Sequence, residues 1–225
     1  MAALPSHTVE RLVKHDLADR LRTEIMKGNL RPGERIVEGK WGLRFGVAQG
    51  SIREAINILA LEGFVTKRSG RSARVVHFSE QDVVQIYQVR GAVEGLAARL
   101  AALAEADLSM LQAAVDGMRE ASAAGHRDAL LGCDLQFHLH MCEASGNPFL
   151  IEQARRILLP FFAFVRMRVT VSQQETAVWS KDLEAHQRII DLIRECEGEI
   201  AEQYVKRAME RFARTAYDNW ERRQT

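Results

Sequence analysis

The stretch from Arg31 to Val75, RPGERIVEGKWGLRFGVAQGSIREAINILALEGFVTKRSGRSARV, constrains the fold more than any other part of the chain. It reads as a short helix, a tight turn, a second helix and a basic hairpin. The turn centres on Gly46, where the missing Cβ lets the backbone bend sharply and two helices cross closely. Beyond it, Val47, Ile52, Ala55, Ile56 and Leu59 recur at helical spacing and mark a buried stripe. Gln49, Ser51 and Arg53 lie off that stripe at the helix start, where a helix entering a DNA major groove presents side chains to base edges. Gly63 closes the helix and Val65 to Lys67 resumes as strand. Arg68-Ser69-Gly70-Arg71 then forms a basic hairpin tip suited to the minor groove. The pattern predicts a winged helix-turn-helix.

Charge distribution points the same way. Over the whole chain 31 Lys+Arg nearly balance 30 Asp+Glu, so the net charge of +1 says nothing about nucleic acid. Residues 1–78, however, hold 14 basic against 8 acidic residues, and the remainder holds 17 against 22. A basic head on an acidic body is the electrostatic footprint of DNA binding through one domain. At 225 residues the chain suits two modest domains, 1–78 and 79–225, joined near Val76-His77-Phe78. Cys133, Cys142 and Cys196 form no CxxC pair and suggest no disulfide framework; Cys133 and Cys142 read as packed thiols. No apolar run is long enough to span a bilayer, and the first residues lack a signal-peptide core, which reads as a soluble cytoplasmic protein with no membrane partner.

From Ser79 onward every segment has helical character. Ser79-Glu80-Gln81-Asp82 is a capping box opening the first helix, and Asp107 starts a second. A third occupies roughly Arg127 to Ala144. Ser145-Gly146-Asn147-Pro148 is a sharp break before a fourth, Pro148 to about Val171, which Pro160 should kink. Helices from about Trp179 to Glu195 and from about Glu199 to Glu221 complete an all-helical antiparallel bundle. The fold class is therefore mainly α, with the small β-wing confined to the head.

The bundle carries one chemical constellation. Asp134 and His138 stand at i and i+4 and so share a helix face, and both are suitable ligands for a divalent metal such as zinc or nickel. His186, on a later helix, is a further candidate. Arg90 lies on the same side of the first bundle helix as Val83, Ile86 and Val93. A buried arginine needs an anion, supplied either by a protein carboxylate or by a carboxylate ligand. Glu94 reads as the partner of a neighbouring arginine rather than as an acid catalyst. His140 points to another face, and His7, His15, His77 and His126 read as surface residues. No HExxH, phosphate loop or Ser-His-Asp set is present, so catalysis has little support.

Two resemblances follow from these residues. PGERIxE, then GVxxxxxREAIxxLxxEGFV, then the basic wing resembles the DNA-binding domain of the GntR family of bacterial transcription regulators, over about the first third of the chain. Ala48-Gln49-Gly50-Ser51 stands where members commonly carry Ser-Arg-Thr-Pro, so the family's first arginine is Gln49 here while the second is retained as Arg53. Trp41-Gly42 replaces the usual Leu-Ala. VRGAVEGLAARLAA, DLQFHLHMCEASGNPFL and EAHQRIIDLI resemble the FCD ligand-binding domain of the FadR subfamily, over most of residues 80–215. That resemblance implies a pocket holding a divalent metal on an aspartate and three histidines, with carboxylate-type effectors above it. Asp134, His138 and His186 match the first three ligands, and Ala208 stands where the fourth would be. Metal retained on three ligands, a metal-free pocket in which His138 and His186 bond the effector, and ordinary core polar residues all remain open.

The resemblance implies a homodimeric repressor on a palindromic DNA operator, released by a small organic acid bound near Arg90, Asp134, His138 and His186. The competing class is a metal-dependent helical-bundle enzyme with an accessory nucleic-acid domain. A third reading makes the bundle a dimerisation and metal-sensing module only.

Overall fold

The computed structural model describes residues 6–67, 72–171 and 180–221, with side chains described within 14–67, 72–168 and 183–214. In chain order the elements are α1 (Ser6–Met26), α2 (Glu38–Phe45), α3 (Gln49–Leu61), β1 (Val65–Thr66) and β2 (Arg74–Val75), followed by α4 (Glu80–Leu103), α5 (Ser109–Ala123), α6 (Arg127–Ala144), α7 (Pro148–Val171), α8 (Ser180–Arg194) and α9 (Gly198–Glu221). They form two compact units. One is drawn from Met1–His77 and Phe162–Gln173, the other from Phe78–Phe161 and Gln174–Thr225. The fold is mainly helical with a two-stranded wing, as the sequence predicts.

In the first unit, α1 packs on α3. Leu17, Ala18, Leu21 and Ile25 face Ile52, Ala55, Ile56 and Leu59, and all eight are buried. Each fully buried Leu or Ile contributes about 1.5–3 kcal/mol, so this stripe rather than helix propensity holds the head together. Gly46 adopts the left-handed conformation at φ 69°, and the Val47 N–H reaches back to the Gly42 carbonyl at 2.9 Å. A Cβ on Gly42 would lie 2.9 Å from the Val47 oxygen, which is how this tight turn coexists with the buried Trp41 beside it. Val47 itself is half-buried, because it belongs to the turn and not to the helix whose stripe it extends in sequence. Arg22 on α1 clasps Glu62 past the end of α3 through two nitrogens, at 2.8 and 2.6 Å from Nη2 and 3.1 Å from Nε. β1 and β2 pair antiparallel with Val65 opposite Val75. The segment before α2 adds a third edge through an Arg35–Arg74 bridge and a bond from the Ile36 N–H to the Ala73 carbonyl at 2.9 Å. Arg68, Ser69, Gly70 and Arg71 at the expected wing tip lie outside the described residues.

In the second unit, Ser79 and Asp82 cap α4 reciprocally, satisfying two amides that the helix itself leaves open. Glycines and alanines on one face of α4 let α9 approach closely. A Cβ on Gly95 would stand 3.1 Å from the Glu202 carbonyl, and one on Gly91 3.5 Å from Met209 Cβ. Gly117 on α5 plays a similar part for α6, since a Cβ there would lie 2.9 Å from the Cys133 sulfur. Gly146, left-handed at φ 65°, ends α6, and Asn147 Oδ1 accepts from the Phe149 and Leu150 amides to start α7. α7 runs through Pro160. Among the described residues no helix is long and apolar enough to cross a membrane.

Candidate functional site

The candidate recognition surface is on α3. Because Ile52, Ala55 and Ile56 turn inward, Gln49 and Arg53 turn outward; both are exposed, and Ser51 between them is half-buried. Gln49 and Arg53 converge on one acceptor, Glu38, the first residue of α2. Arg53 donates from Nη2 to Glu38 Oε2 at 2.8 Å and from Nε to the two carboxylate oxygens at 3.1 and 3.2 Å. Gln49 Nε2 donates to the same Oε2 at 3.2 Å. The Arg53 guanidinium holds the Glu38 carboxyl below its ordinary range, and the carboxylate in turn raises Arg53. Sequence reasoning missed Glu38, which stands 15 positions before Arg53 on a different helix. Lys67, at the base of the wing, donates to Asn57 Oδ1 at 2.6 Å.

Inside the bundle, three helices bring five polar side chains together. Arg90 and Glu94 come from α4, one turn apart, with Arg90 Nε donating to Glu94 Oε1 at 2.7 Å. Arg90 is 3% exposed and Glu94 1%. The anion that the buried arginine requires is thus a protein carboxylate for this nitrogen, and the guanidinium also lies over the rings of Tyr87 and Phe161. Glu94 Oε2 faces His138 Nδ1 of α6 at 2.5 Å. The other imidazole nitrogen, His138 Nε2, stands 3.2 Å from Asp134 Oδ1 on the same helix, and His186 Nε2 of α8 stands 3.1 Å from that same oxygen. Both histidines are buried, with Phe137 packed edge-on against each ring.

Electrostatics follow from this chain of contacts. Burial alone would raise the Glu94 pKa; Arg90 and then His138 overcome it and pull the group down to about 2. Asp134 is likewise held well below the usual carboxylate range by His138 and His186, against its own desolvation. For His138, burial favours the neutral ring but the Glu94 charge prevails and raises its pKa. Cys142 differs: burial pushes its thiol far above its ordinary value, so it stays a neutral packed group.

Asp134, His138 and His186 each offer one ligand atom, and these atoms lie within 4.8 Å of one another. Asp134 Oδ1 is buried and makes no hydrogen bond of acceptable geometry despite its two imidazole neighbours. Glu94 faces His138 Nδ1, so Nε2 is the nitrogen on the side of Asp134 and His186, and it can act as a ligand once it gives up its proton. A carboxylate oxygen and two imidazole nitrogens converging in this way fit a divalent cation. Ala208 on α9 is buried and offers no ligand. Helical spacing paired Asp134 with His138, and the FCD resemblance added His186 to them; neither gave the contact between Glu94 and His138, although an arginine and glutamate at i and i+4 on a buried face signal an internal counter-ion. His140 stands apart, with Nδ1 3.0 Å from Glu143.

Known proteins bear on both regions. Residues 14–75 match bacterial regulatory proteins of the gntR family, and residues 85–211 match the FCD domain. An Escherichia coli protein named as an L-lactate dehydrogenase operon regulatory protein is 30% identical, covering 81% of this chain and 78% of its own. A Paenarthrobacter nicotinovorans protein named as a D-xylose utilization operon transcriptional repressor is 26% identical, covering 87% and 86%. The solved structure of Escherichia coli McbR/YncC shares the fold, with a TM-score of 0.70 over 92% of this chain and 98% of that one at 17% identity.

Proposed function

The chain belongs to the gntR family of bacterial transcription regulators, in the group that carries an FCD domain, and from that membership we propose a ligand-responsive repressor that works as a homodimer. It is a regulator and not an enzyme: the matched gntR region and the named relatives are regulatory. The division of labour proposed is a DNA-binding head, residues 1–78, and an effector-binding and dimerisation bundle, residues 79–225. Two-fold symmetry of the protein asks for a palindromic operator. Gln49, Ser51 and Arg53 are the base-facing candidates. Arg68, Ser69, Gly70 and Arg71 are the candidates for contacts from the wing. Cytoplasmic localisation accompanies this reading.

The observation that carries the effector reading is the convergence of Asp134, His138 and His186 within a buried cluster. These residues would hold a divalent cation, and a bound cation would supply a positive centre for an effector carboxylate. The Glu94 carboxylate, facing His138 Nδ1, would accept a hydrogen bond from Nδ1–H and so keep Nε2 directed at Asp134. Arg90 neutralises Glu94 and contributes positive potential. Three protein ligands leave coordination positions for water or an organic acid. A relative named for an L-lactate dehydrogenase operon makes small hydroxy acids the first class to try. An effector preferring one arrangement of the bundle would shift the dimer away from its DNA-competent population.

The test combines metal analysis with thermal shift. Purified protein is expected to retain a stoichiometric divalent metal and to melt higher with a small acid such as L-lactate, an effect that EDTA removes. If no acid raises the melting temperature in either condition and no metal is retained, the pocket reading fails. Light scattering at micromolar protein is expected to give twice the chain mass of 25.4 kDa; a monomer would contradict the dimer.

A further inference from the structure

We propose that Glu38 is a positioning residue for DNA readout, a buttress that fixes Arg53 so that its terminal guanidinium edge reads a guanine in each operator half-site. The proposal rests on the reading of Arg53 as a base-facing residue.

A guanidinium has two edges that can fork onto a pair of acceptors. One is formed by Nε and Nη2, the other by Nη1 and Nη2. Glu38 occupies the first, with Nη2 at 2.8 Å and Nε at 3.1 and 3.2 Å. The planar group is thereby held at its stem, and the Nη1–Nη2 edge turns away from Glu38. The Arg53 side chain remains 55% exposed, so that edge is accessible. Two parallel N–H donors in one plane match the O6 and N7 acceptors that guanine alone presents in the major groove. An arginine held by a carboxylate loses less freedom on docking than a loose one, which converts into discrimination between bases.

Glu38 fits this role better than that of a surface ion pair. Its side chain is 23% exposed, against 55% for Arg53, so the carboxylate is the more firmly seated partner. It also accepts from Gln49 Nε2 at 3.2 Å, which ties the second outward side chain to the same anchor. With one amide hydrogen turned to Glu38, the Gln49 side chain is held in one orientation. A carboxylate beside a DNA-binding surface repels phosphate, so placing one there weakens binding to all sequences alike. Positioning is the return that offsets this repulsion.

The two effects have opposite signs, which makes the proposal testable. Full-length protein would be used to select duplexes from a randomised 30-base-pair library, in the wild-type form and as Glu38→Ala, Glu38→Gln and Arg53→Ala. Affinities for the selected duplex, for its single-base variants and for random duplex would follow by fluorescence anisotropy. The wild type is expected to require one guanine per half-site, a requirement that Arg53→Ala abolishes. Glu38→Ala should bind random duplex more tightly while its preference for that guanine falls on the order of tenfold. Glu38→Gln, which keeps one acceptor oxygen, should retain part of the preference. In DNA-free protein, the Arg53 side-chain NMR signal should show hindered rotation about Nε–Cζ that Glu38→Ala releases. If Glu38→Ala strengthens binding to every duplex equally and leaves the guanine preference intact, the buttress is overturned and Glu38 is only a repulsive charge. If the wild type shows no such guanine, or Arg53→Ala keeps it, the base-reading role of Arg53 fails, a result separable from the first.

Discussion

Arg53 on α3 and Arg90 on α4 each donate from Nε to a glutamate, at 3.1 and 2.7 Å. The Arg53 side chain is 55% exposed and the Arg90 side chain 4%. The same pairing therefore does different work in the two units. Around Arg53, water screens the pair and competes for every donor, so the contact can orient a side chain but adds little to stability. Around Arg90, burial removes solvent screening, so the loss of one partner would leave a charge uncompensated. The head leaves its pair on an exposed surface, whereas the bundle buries its ion pairs beside the cluster of Asp134, His138 and His186.

Glu94→Ala should break that comparison if it is wrong, and it carries the largest expected effect. Removing one partner of a buried pair costs about 3–5 kcal/mol, because Arg90 loses its counter-ion. Urea unfolding of Glu94→Ala should show a loss of that size, while Glu38→Ala should unfold at the wild-type midpoint. Similar midpoints for the two variants would mean that burial does not separate the regions. Acid titration sharpens the point. A carboxylate whose folded pKa is depressed contributes stability above its unfolded value, and that contribution is lost as pH falls through the folded value. For Glu94 the window runs from about 4.3, the unperturbed value, down to about 2. Glu94→Gln should flatten the stability profile across that window, and an unchanged slope would remove Glu94 as its source.

Gly95→Ala comes next and bears on how the cluster is held. Its new methyl would lie 3.1 Å from the Glu202 carbonyl, on backbone that cannot rotate aside. Overpacking of this kind costs about 1–3 kcal/mol, partly offset by roughly 1 kcal/mol from the better helix former. A net loss of stability together with weakened metal binding is expected, since Gly95 adjoins Glu94. Stabilisation instead would mean that α4 and α9 have slack between them.

Local patterns were legible in the sequence wherever neighbours along the chain decide the outcome. The bounds of α6, Arg127–Ala144, follow from its spacing and from Gly146 after it. So do the Ser79–Asp82 cap, the Gly46 turn and the i, i+4 placement of Asp134 and His138. What escaped is whatever depends on the rotation of one helix against another. Glu38 meets Arg53 across the turn, and Glu94 meets His138 between α4 and α6; neither spacing repeats anything a period of 3.6 would mark. Val47 failed for the opposite reason: it continues the apolar stripe in sequence but stands before the first turn of α3. The bridge between Arg35 and Arg74 joins residues 39 positions apart and left no local pattern.

Ala208→His tests whether the three convergent ligands act as a metal site in the way the resemblance implies. Ala208 is buried, so unfolding must first show that the variant folds. Given that, a fourth ligand should tighten zinc or nickel on the order of tenfold or more by calorimetry. An intact fold with unchanged metal affinity would sever this chain from the family's ligand arrangement. His186→Ala, which removes a ligand without filling space, should weaken the metal while leaving the DNA affinity of metal-free protein unaltered.

The smallest expected effect belongs to the wing. Arg68 and Arg71 flank Ser69-Gly70 in a four-residue basic segment of the sequence without a nearby acidic residue. Unlike Arg53, they are expected to contact phosphate, which carries no sequence information. Replacing either by Ala should then weaken every duplex by the same factor and reduce the slope of log affinity against log salt by about 1. Arg53→Ala should instead change the preferred sequence. A wing variant that altered base preference at one position and left the salt slope intact would place base readout in the minor groove as well, and the distinction between the two kinds of arginine would dissolve.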